Sequence, residues 1–261
     1  MIFLKLGGSL ITDKGEAETP RLDVLARLAQ EIAEARSQQP EVRLLLGHGS
    51  GSFGHPEAAR HGTRAGARSP EDWRGFQKVW WSAHRLHRHV LDSLAQAGLP
   101  VLSFPPSTSA LCDAGELMEM ATGPIIRSLE ARLLPLVQGD VAFDRSWGAT
   151  IVSTEQAMGY LARLLRPSRV LLAGAEAGVY ARFPATAPPL GMLSRGDLAA
   201  VKVGASVSAD VTGGMADKVD WGLRLAAEMP GVEVRIFSGS IAGNVRGALL
   251  GGSPGTLLSP G

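Results

Sequence analysis

The chain has a single cysteine, Cys112, which excludes an intramolecular disulfide and any zinc site built from cysteines alone. Neither sign of charge is in excess. Lysine and arginine together number 26 against 25 aspartates and glutamates, so the formal charge of +1 supplies no bulk field to recruit nucleic acid or a membrane surface. No apolar run is long enough to span a bilayer, and the N-terminus lacks the basic and long apolar regions of a signal peptide. These absences lead us to expect a cytoplasmic protein with neither nucleic acid nor membrane as partner. Internal repeats, low-complexity stretches and linkers are missing too, so one α/β domain over residues 1–261 is expected, with a soft functional boundary near 140–146. Two nucleotide signatures are also absent: the P-loop G-x-x-x-x-G-K-[ST], and a G-x-G-x-x-G fingerprint after a strand.

Glycine, by contrast, is abundant: 32 residues, well above the ~7% share of an average chain. Many of these glycines close apolar runs. Met1 to Leu4 reads as a buried strand, followed by Lys5-Leu6-Gly7-Gly8-Ser9. A second strand, 42–46, runs into His48-Gly49-Ser50-Gly51-Ser52-Phe53-Gly54-His55, read as a glycine-rich loop. Further strands are expected at 101–104, 134–137, 150–152, 170–172, 234–237 and around 255–258, with a hairpin at 111–120. Helical spacing of apolar residues predicts helices over 20–34, 73–97, 123–132, 154–165 (capped by Thr154) and from about 215 to 227, with one more near the C-terminus. Residues 183–208 read as loop-rich. Alternating strands and helices predict an α/β fold, a three-layer αβα sandwich with an open, mostly parallel sheet, binding its ligand at the strand C-termini.

Glycine turns leave backbone N–H groups open to an anion, and lysines nearby supply its counter-charge. Lys5, Lys14 and Lys218 stand on or beside such turns, and His55 closes the second one. Phosphoryl transfer needs this combination. Glu155, in the first turn of its helix, either orients the lysines or simply favours the helix dipole. His84, His87 and His89 share a stretch with Arg85 and Arg88 and read as a solvated basic face rather than a metal cluster. Trp73, Phe76, Trp80 and Trp81 read as helix packing with one wall facing an apolar pocket, Phe76 and Trp80 sharing a face at i, i+4.

Taken together, these motifs resemble those of the amino acid kinase superfamily, and within it of the isopentenyl phosphate kinases, along nearly the whole chain. Lys5-Leu6-Gly7-Gly8-Ser9 with Ile11-Thr12-Asp13-Lys14 is similar to that family's opening K-[LI]-G-G-S…[ST]-D-K. Gly51-Ser52-Phe53-Gly54-His55 resembles its G-[SA]-F-G-H loop, and Gly139-Asp140 with Ile151 its G-D…I-[IV]-S segment. Asp210-Val211-Thr212-Gly213-Gly214-Met215 with Lys218 resembles D-V-T-G-G-[MI]-x-x-K.

The resemblance implies phosphorylation of a small alkyl monophosphate such as isopentenyl phosphate, with ATP and Mg²⁺ as cofactors, in a homodimer. It implies that Lys5, Gly7, Gly8, Ser9, Gly51, Gly174, Gly178, Gly213, Gly214 and Lys218 meet the nucleotide. Catalysis would fall to Lys14, Lys5, His55 and Glu155. The substrate phosphate would lie against Ser50, Gly51, Gly54, His55, Gly139 and Asp140, and its tail against Phe76, Val79, Trp80, Val141 and Ile151. The part before residue 145 would hold mainly the acceptor, and the part from about 146 mainly the nucleotide. Three departures accompany the match. Ser153-Thr154-Glu155-Gln156 stands where many relatives carry S-G-D-D, Gly174-Ala175-Glu176-Ala177-Gly178 where they carry T-D-V-D-G, and Ser50 replaces a glycine. Two alternatives stand beside this expectation: a kinase for another small phosphate or phosphonate, and a nucleotide-binding module without activity.

Overall fold

The computed structural model describes residues 1–13, 15–181, 187–199 and 214–261. Lys14 and Gly213 therefore lie outside the described residues, as do half of the expected loop 183–208 and the turn 210–213.

The described strands are β1 (Ile2–Leu6), β2 (Leu44–His48), β3 (Val101–Ser103), β4 (Ala110–Asp113), β5 (Glu116–Met120), β6 (Leu134–Gln138), β7 (Asp140–Asp144), β8 (Gly148–Val152), β9 (Arg169–Gly174), β10 (Met192–Ser194), β11 (Glu233–Ser238) and β12 (Thr256–Ser259). The helices are α1 (Gly8–Ile11), α2 (Leu22–Gln38), α3 (Gly51–His61), α4 (Pro70–Gln96), α5 (Pro106–Ser109), α6 (Gly123–Glu130), α7 (Thr154–Leu165), α8 (Gly214–Glu228) and α9 (Asn244–Leu249).

Eight strands form one sheet in the order β10-β12-β11-β9-β1-β2-β6-β3. Every neighbouring pair is parallel except β11 and β12. The central strand β1 is buried along its whole length, and the alternation of its side chains builds two cores. Leu4 and Leu6 pack into the layer of α2, α4 and α9, with Leu28, Ile32, Leu86, Val90 and Ala248. Phe3 faces the layer of α6, α7 and α8, with Ile125, Leu161 and Val219. This is the expected αβα sandwich.

Register then decides where ligands can bind. Leu6 pairs with His48 on one side and Ala173 on the other, so Gly7, Gly49 and Gly174 emerge together at one edge.

Three elements differ from expectation. First, the second glycine-rich stretch is a helix, α3. Pro56 within it has no N–H for the carbonyl of Ser52, and that carbonyl instead accepts from the Glu18 N–H at 3.1 Å. The hydrogen bond that the proline cannot supply is met by a distant loop. Second, α7 is capped by Ser153 rather than Thr154. Ser153 and Gln156 form a capping box, with the Gln156 N–H donating to Ser153 Oγ at 3.1 Å and the Ser153 N–H to Gln156 Oε1 at 2.9 Å. Third, the strand expected at 150–152 belongs to a hairpin, β7–β8, in a separate four-stranded sheet, β5-β4-β7-β8. The expected hairpin at 111–120 is present as β4–β5.

Candidate active site

A cleft of about 230 Å³ opens where β1, β2 and β6 end. Two glycine turns meet at its floor. A Cβ on Gly8 would collide with the backbone nitrogen and Cα of Gly51. Gly51 in turn has a φ of +52° and no room for a side chain beside Thr12 Oγ1. Thr12 clamps the pair: its hydroxyl donates to the Gly8 carbonyl at 2.8 Å and accepts from the Ser52 N–H at 3.0 Å. The N-terminus of α3 consequently lines the cleft beside Gly8 and Ser9 through Gly51, Ser52 and Gly54, with the positive end of its dipole there.

The cationic wall is Lys5 with Lys218. Lys5 is buried, and its Nζ lies 3.1 Å from Glu155 Oε1. Burial alone would lift the Glu155 pKa. The charges of Lys5 and Lys218, with the Lys5 hydrogen bond, outweigh that effect and hold the carboxyl below its ordinary range. Glu155 is therefore an anionic strut between two lysines. Its neighbour Gln156 is spent on the α7 cap and on a 3.3 Å bond from its amide to the Gly115 carbonyl, so it reaches the β4–β5 hairpin rather than the lysines.

The opposite wall carries His55, Ser50, Gly54, Gly139 and Asp140. Ser50 Oγ donates to the Gly139 carbonyl at 3.2 Å, and Thr154 Oγ1 to the His48 carbonyl at 2.6 Å, which ties β2, β6 and α7 together beneath it. Asp140 is buried with both oxygens engaged. One accepts from the Val141 N–H at 2.9 Å; the other meets His84 Nε2 at 3.1 Å and the Ser107 N–H at 3.3 Å. Val79 and Ile151 line the cleft's apolar end. Phe76, Trp80 and Val141 stand behind them in one cluster with Ala58 and do not line the cleft. Trp80 turns its indole N–H to Ser107 Oγ at 3.1 Å and its ring to His84.

Of the other expected residues, Gly7 caps α1 and donates to the Ala173 carbonyl at 2.8 Å, one residue from the cleft wall. Gly174 borders Gly7 without lining the cleft. Gly178 is pressed under Thr256 and Pro189, with space for no Cβ. Gly214 begins α8, one turn before Lys218.

The histidines of α4 are not a solvated basic face, which corrects that expectation. His87 is buried and hydrogen-bonded to His48 at 2.8 Å, His84 binds Asp140, and His89 packs edge-on against Phe53. Desolvation pushes the His48 pKa down to about 4 and that of His87 lower still, so both are neutral at physiological pH. Arg64, Glu16 and Ala17 also line the cleft. Sequence reading missed them, although the glycines at 62 and 66 that bracket Arg64 were a usable turn signal. Among the described residues no group of three or more His, Cys, Asp or Glu could hold a metal ion.

A parallel αβα sandwich with glycine turns, paired lysines and a helix N-terminus at its strand ends defines a class of proteins that handle phosphate groups. Residues 1–238 match the model of the amino acid kinase family. An isopentenyl phosphate kinase of Methanothermobacter thermautotrophicus is 36% identical over 263 residues, covering 96% of each chain. One from Methanocaldococcus jannaschii is 30% identical, over 98% of this chain and 97% of the relative. A solved isopentenyl phosphate kinase structure, 33% identical, superimposes with a TM-score of 0.83 over 99% of this chain and 100% of its own. The chain belongs to the amino acid kinase family and, within it, to the isopentenyl phosphate kinases.

Proposed function

We propose that this protein transfers the γ-phosphoryl group of ATP to isopentenyl phosphate, giving isopentenyl diphosphate and ADP. The observation that carries this reading is the cleft itself: one wall pairs Lys5 with Glu155, and the other sets His55 and the α3 N-terminus beside Val79 and Ile151. In the step, an oxygen of the acceptor phosphate attacks the γ-phosphorus as the bond to the β-phosphate oxygen breaks. That nucleophile is already anionic, so no general base is required, and the protein's task is to offset repulsion between two anions.

In this scheme the ATP phosphates lie over Gly7, Gly8 and Ser9 with Lys5 and Lys218, and the nucleotide extends toward Gly174, stopping short of Gly178, which is packed under Thr256 and Pro189. Lys14, Gly213 and Gly214 keep their family roles in the proposal. The acceptor phosphate takes His55 and the N–H groups at Ser50, Gly51 and Gly54, with Gly139 alongside. The isopentenyl tail meets Val79 and Ile151, with Phe76, Trp80 and Val141 shaping that wall from behind. Two of the carboxylates of the cleft are committed to other partners, Glu155 to Lys5 and Asp140 to His84 and two backbone N–H groups, which leaves Glu16 as the third. Mg²⁺ thus fits as the companion of the nucleotide phosphates rather than in a protein cage. A single domain, with the acceptor mainly before residue 145 and the nucleotide mainly after it, is part of this proposal. So are a homodimer and a cytoplasmic location. Among the described residues no helix is long and apolar enough to cross a membrane.

Coupled ADP release with MgATP and a panel of acceptors tests the reading. Turnover of isopentenyl phosphate at a kcat/KM above that of other phosphates, phosphonates and carboxylates is expected. Preference for another acceptor, or ATP binding without turnover on any of them, would reject it.

A further inference from the structure

Two buried histidines and a half-buried serine form a chain of polar groups that the phosphoryl transfer does not use. His48, the last residue of β2, His87 on α4 and Ser103 at the end of β3 lie in line. His48 Nδ1 is 3.1 Å from the Gly49 carbonyl, His48 Nε2 is 2.8 Å from His87 Nδ1, and His87 Nε2 is 2.6 Å from Ser103 Oγ. A carbonyl can only accept, so His48 Nδ1 carries a hydrogen and donates it. With His48 neutral, its Nε2 is a lone pair that must accept from His87 Nδ1–H. With His87 neutral, its Nε2 accepts from the Ser103 hydroxyl. One proton order satisfies all three contacts, and it runs from Ser103 toward Gly49. The depressed pKa values of both imidazoles agree with it.

The end of the chain is where this order matters. The Gly49–Ser50 peptide is wedged between the two phosphate-facing loops. A Cβ on Gly49 would lie 2.9 Å from the Gly8 nitrogen and 3.6 Å from Lys5 Nζ. In a trans peptide the N–H points opposite to the C=O. Holding the Gly49 carbonyl back against the His48 ring therefore turns the Ser50 N–H the other way. Ser50 lines the cleft, and among the described residues its N–H donates to nothing. A freely rotating peptide at this glycine could instead present its carbonyl to the cleft, which would repel an anion.

We infer that His48, His87 and Ser103 are positioning residues, a fixed-polarity hydrogen-bond chain that orients the Gly49–Ser50 peptide so that its N–H faces the acceptor phosphate. None of the three touches the substrate. Their effect reaches it through one peptide, so it concerns acceptor affinity and leaves the nucleotide alone. The kinetic part of the inference rests on the acceptor assignment proposed above; the proton order does not.

Two measurements test it on the intact protein. Nitrogen-15 NMR of the imidazoles at neutral pH is expected to show Nδ1–H and a bare Nε2 on both His48 and His87. An Nε2–H on either ring overturns the inference, whatever the acceptor proves to be. Kinetically, His87→Leu removes the donor to His48, whereas His87→Asn places an amide N–H near the position of Nδ1. His87→Leu is expected to raise KM for isopentenyl phosphate about tenfold, the cost of misaligning one hydrogen bond to a charged group, with KM for ATP within about twofold. His87→Asn should recover most of the loss. An equal rise in both KM values, or no difference between the two variants, contradicts the inference. Failure of the wild-type protein to use isopentenyl phosphate at all would count against the proposed function instead, and the NMR result would still decide the proton order.

Discussion

The glycines at 8 and 51 and the glycine at 178 occupy similar places, just past parallel strands at one edge of the sheet, yet they are there for different reasons. A side chain on Gly8 would collide with the backbone of Gly51, so the two turns are as close as two chains can come, and the cleft floor is bare backbone. A side chain on Gly178 would meet Thr256 Oγ1 at 2.6 Å and Pro189 Cβ at 2.9 Å, away from the cleft. Thr256 cannot yield, because its hydroxyl accepts from the Val179 N–H at 2.8 Å and donates to the Leu190 carbonyl at 2.7 Å. The first pair of glycines shapes the cleft floor; the other makes room for Thr256, the first residue of β12. Sequence alone assigns both to ligand binding, and only the neighbours distinguish them.

That comparison can be broken. Gly8→Ala should cut kcat/KM by a factor on the order of 10³ through displacement of both turns, with a far smaller fall in Tm. A Gly8→Ala variant of near wild-type activity would remove the special status of the cleft floor. The acid side of the stability curve gives the next effect. His48 has an ordinary value of 6.5 and about 4 in the fold, so between those pH values the unfolded chain takes up a proton that the folded one refuses. Stability is thus unaffected by this group above 6.5 and falls as pH drops toward 4, by up to about 3 kcal/mol. Chemical denaturation across that range should show the slope in the wild type and a flatter profile in His48→Asn; identical slopes would refute the burial argument.

Glu155→Gln leaves the Lys5 ammonium buried without its anion. A loss of about thirtyfold in kcat is expected, together with about 3 kcal/mol of stability. An unchanged kcat would mean that the strut does not set the lysines. The smallest effect belongs to Gly178→Ala, which should lower stability by about 2 kcal/mol and leave both KM values alone. A rise in KM for ATP would return Gly178 to the nucleotide.

The layers were legible because β1 is a short apolar run closed by glycines and α2 carries helical periodicity, and Lys5 with Gly7-Gly8 because a strand, a turn and a cation are adjacent in sequence. Val79 and Ile151 were identified as tail-pocket positions, and both line the cleft. Helix α3 was not legible, because its glycines read as a loop and the Ser52 carbonyl that Pro56 leaves unpaired finds its donor, the Glu18 N–H, in another loop. Nor was the His48–His87 contact, which joins positions far apart in sequence across β2 and α4. On a helical wheel His87 looks like one more polar residue beside Arg85 and Arg88; what buries it is the packing of α4 on the sheet edge. The place of Gln156 was hidden for a simpler reason. Its capping partner is local, but its hold on Gly115 depends on the second sheet, whose hairpin β7–β8 carried no strong strand pattern.

A structure of the protein with isopentenyl phosphate and a non-hydrolysable ATP analogue bears most directly on the account. It should place the acceptor phosphate within hydrogen-bond distance of His55 and the Ser50 N–H, with the terminal phosphate of the nucleotide against Lys5 and Gly8 in the same cleft. An acceptor phosphate bound elsewhere, or an imidazole at position 55 turned away from it, would contradict the account.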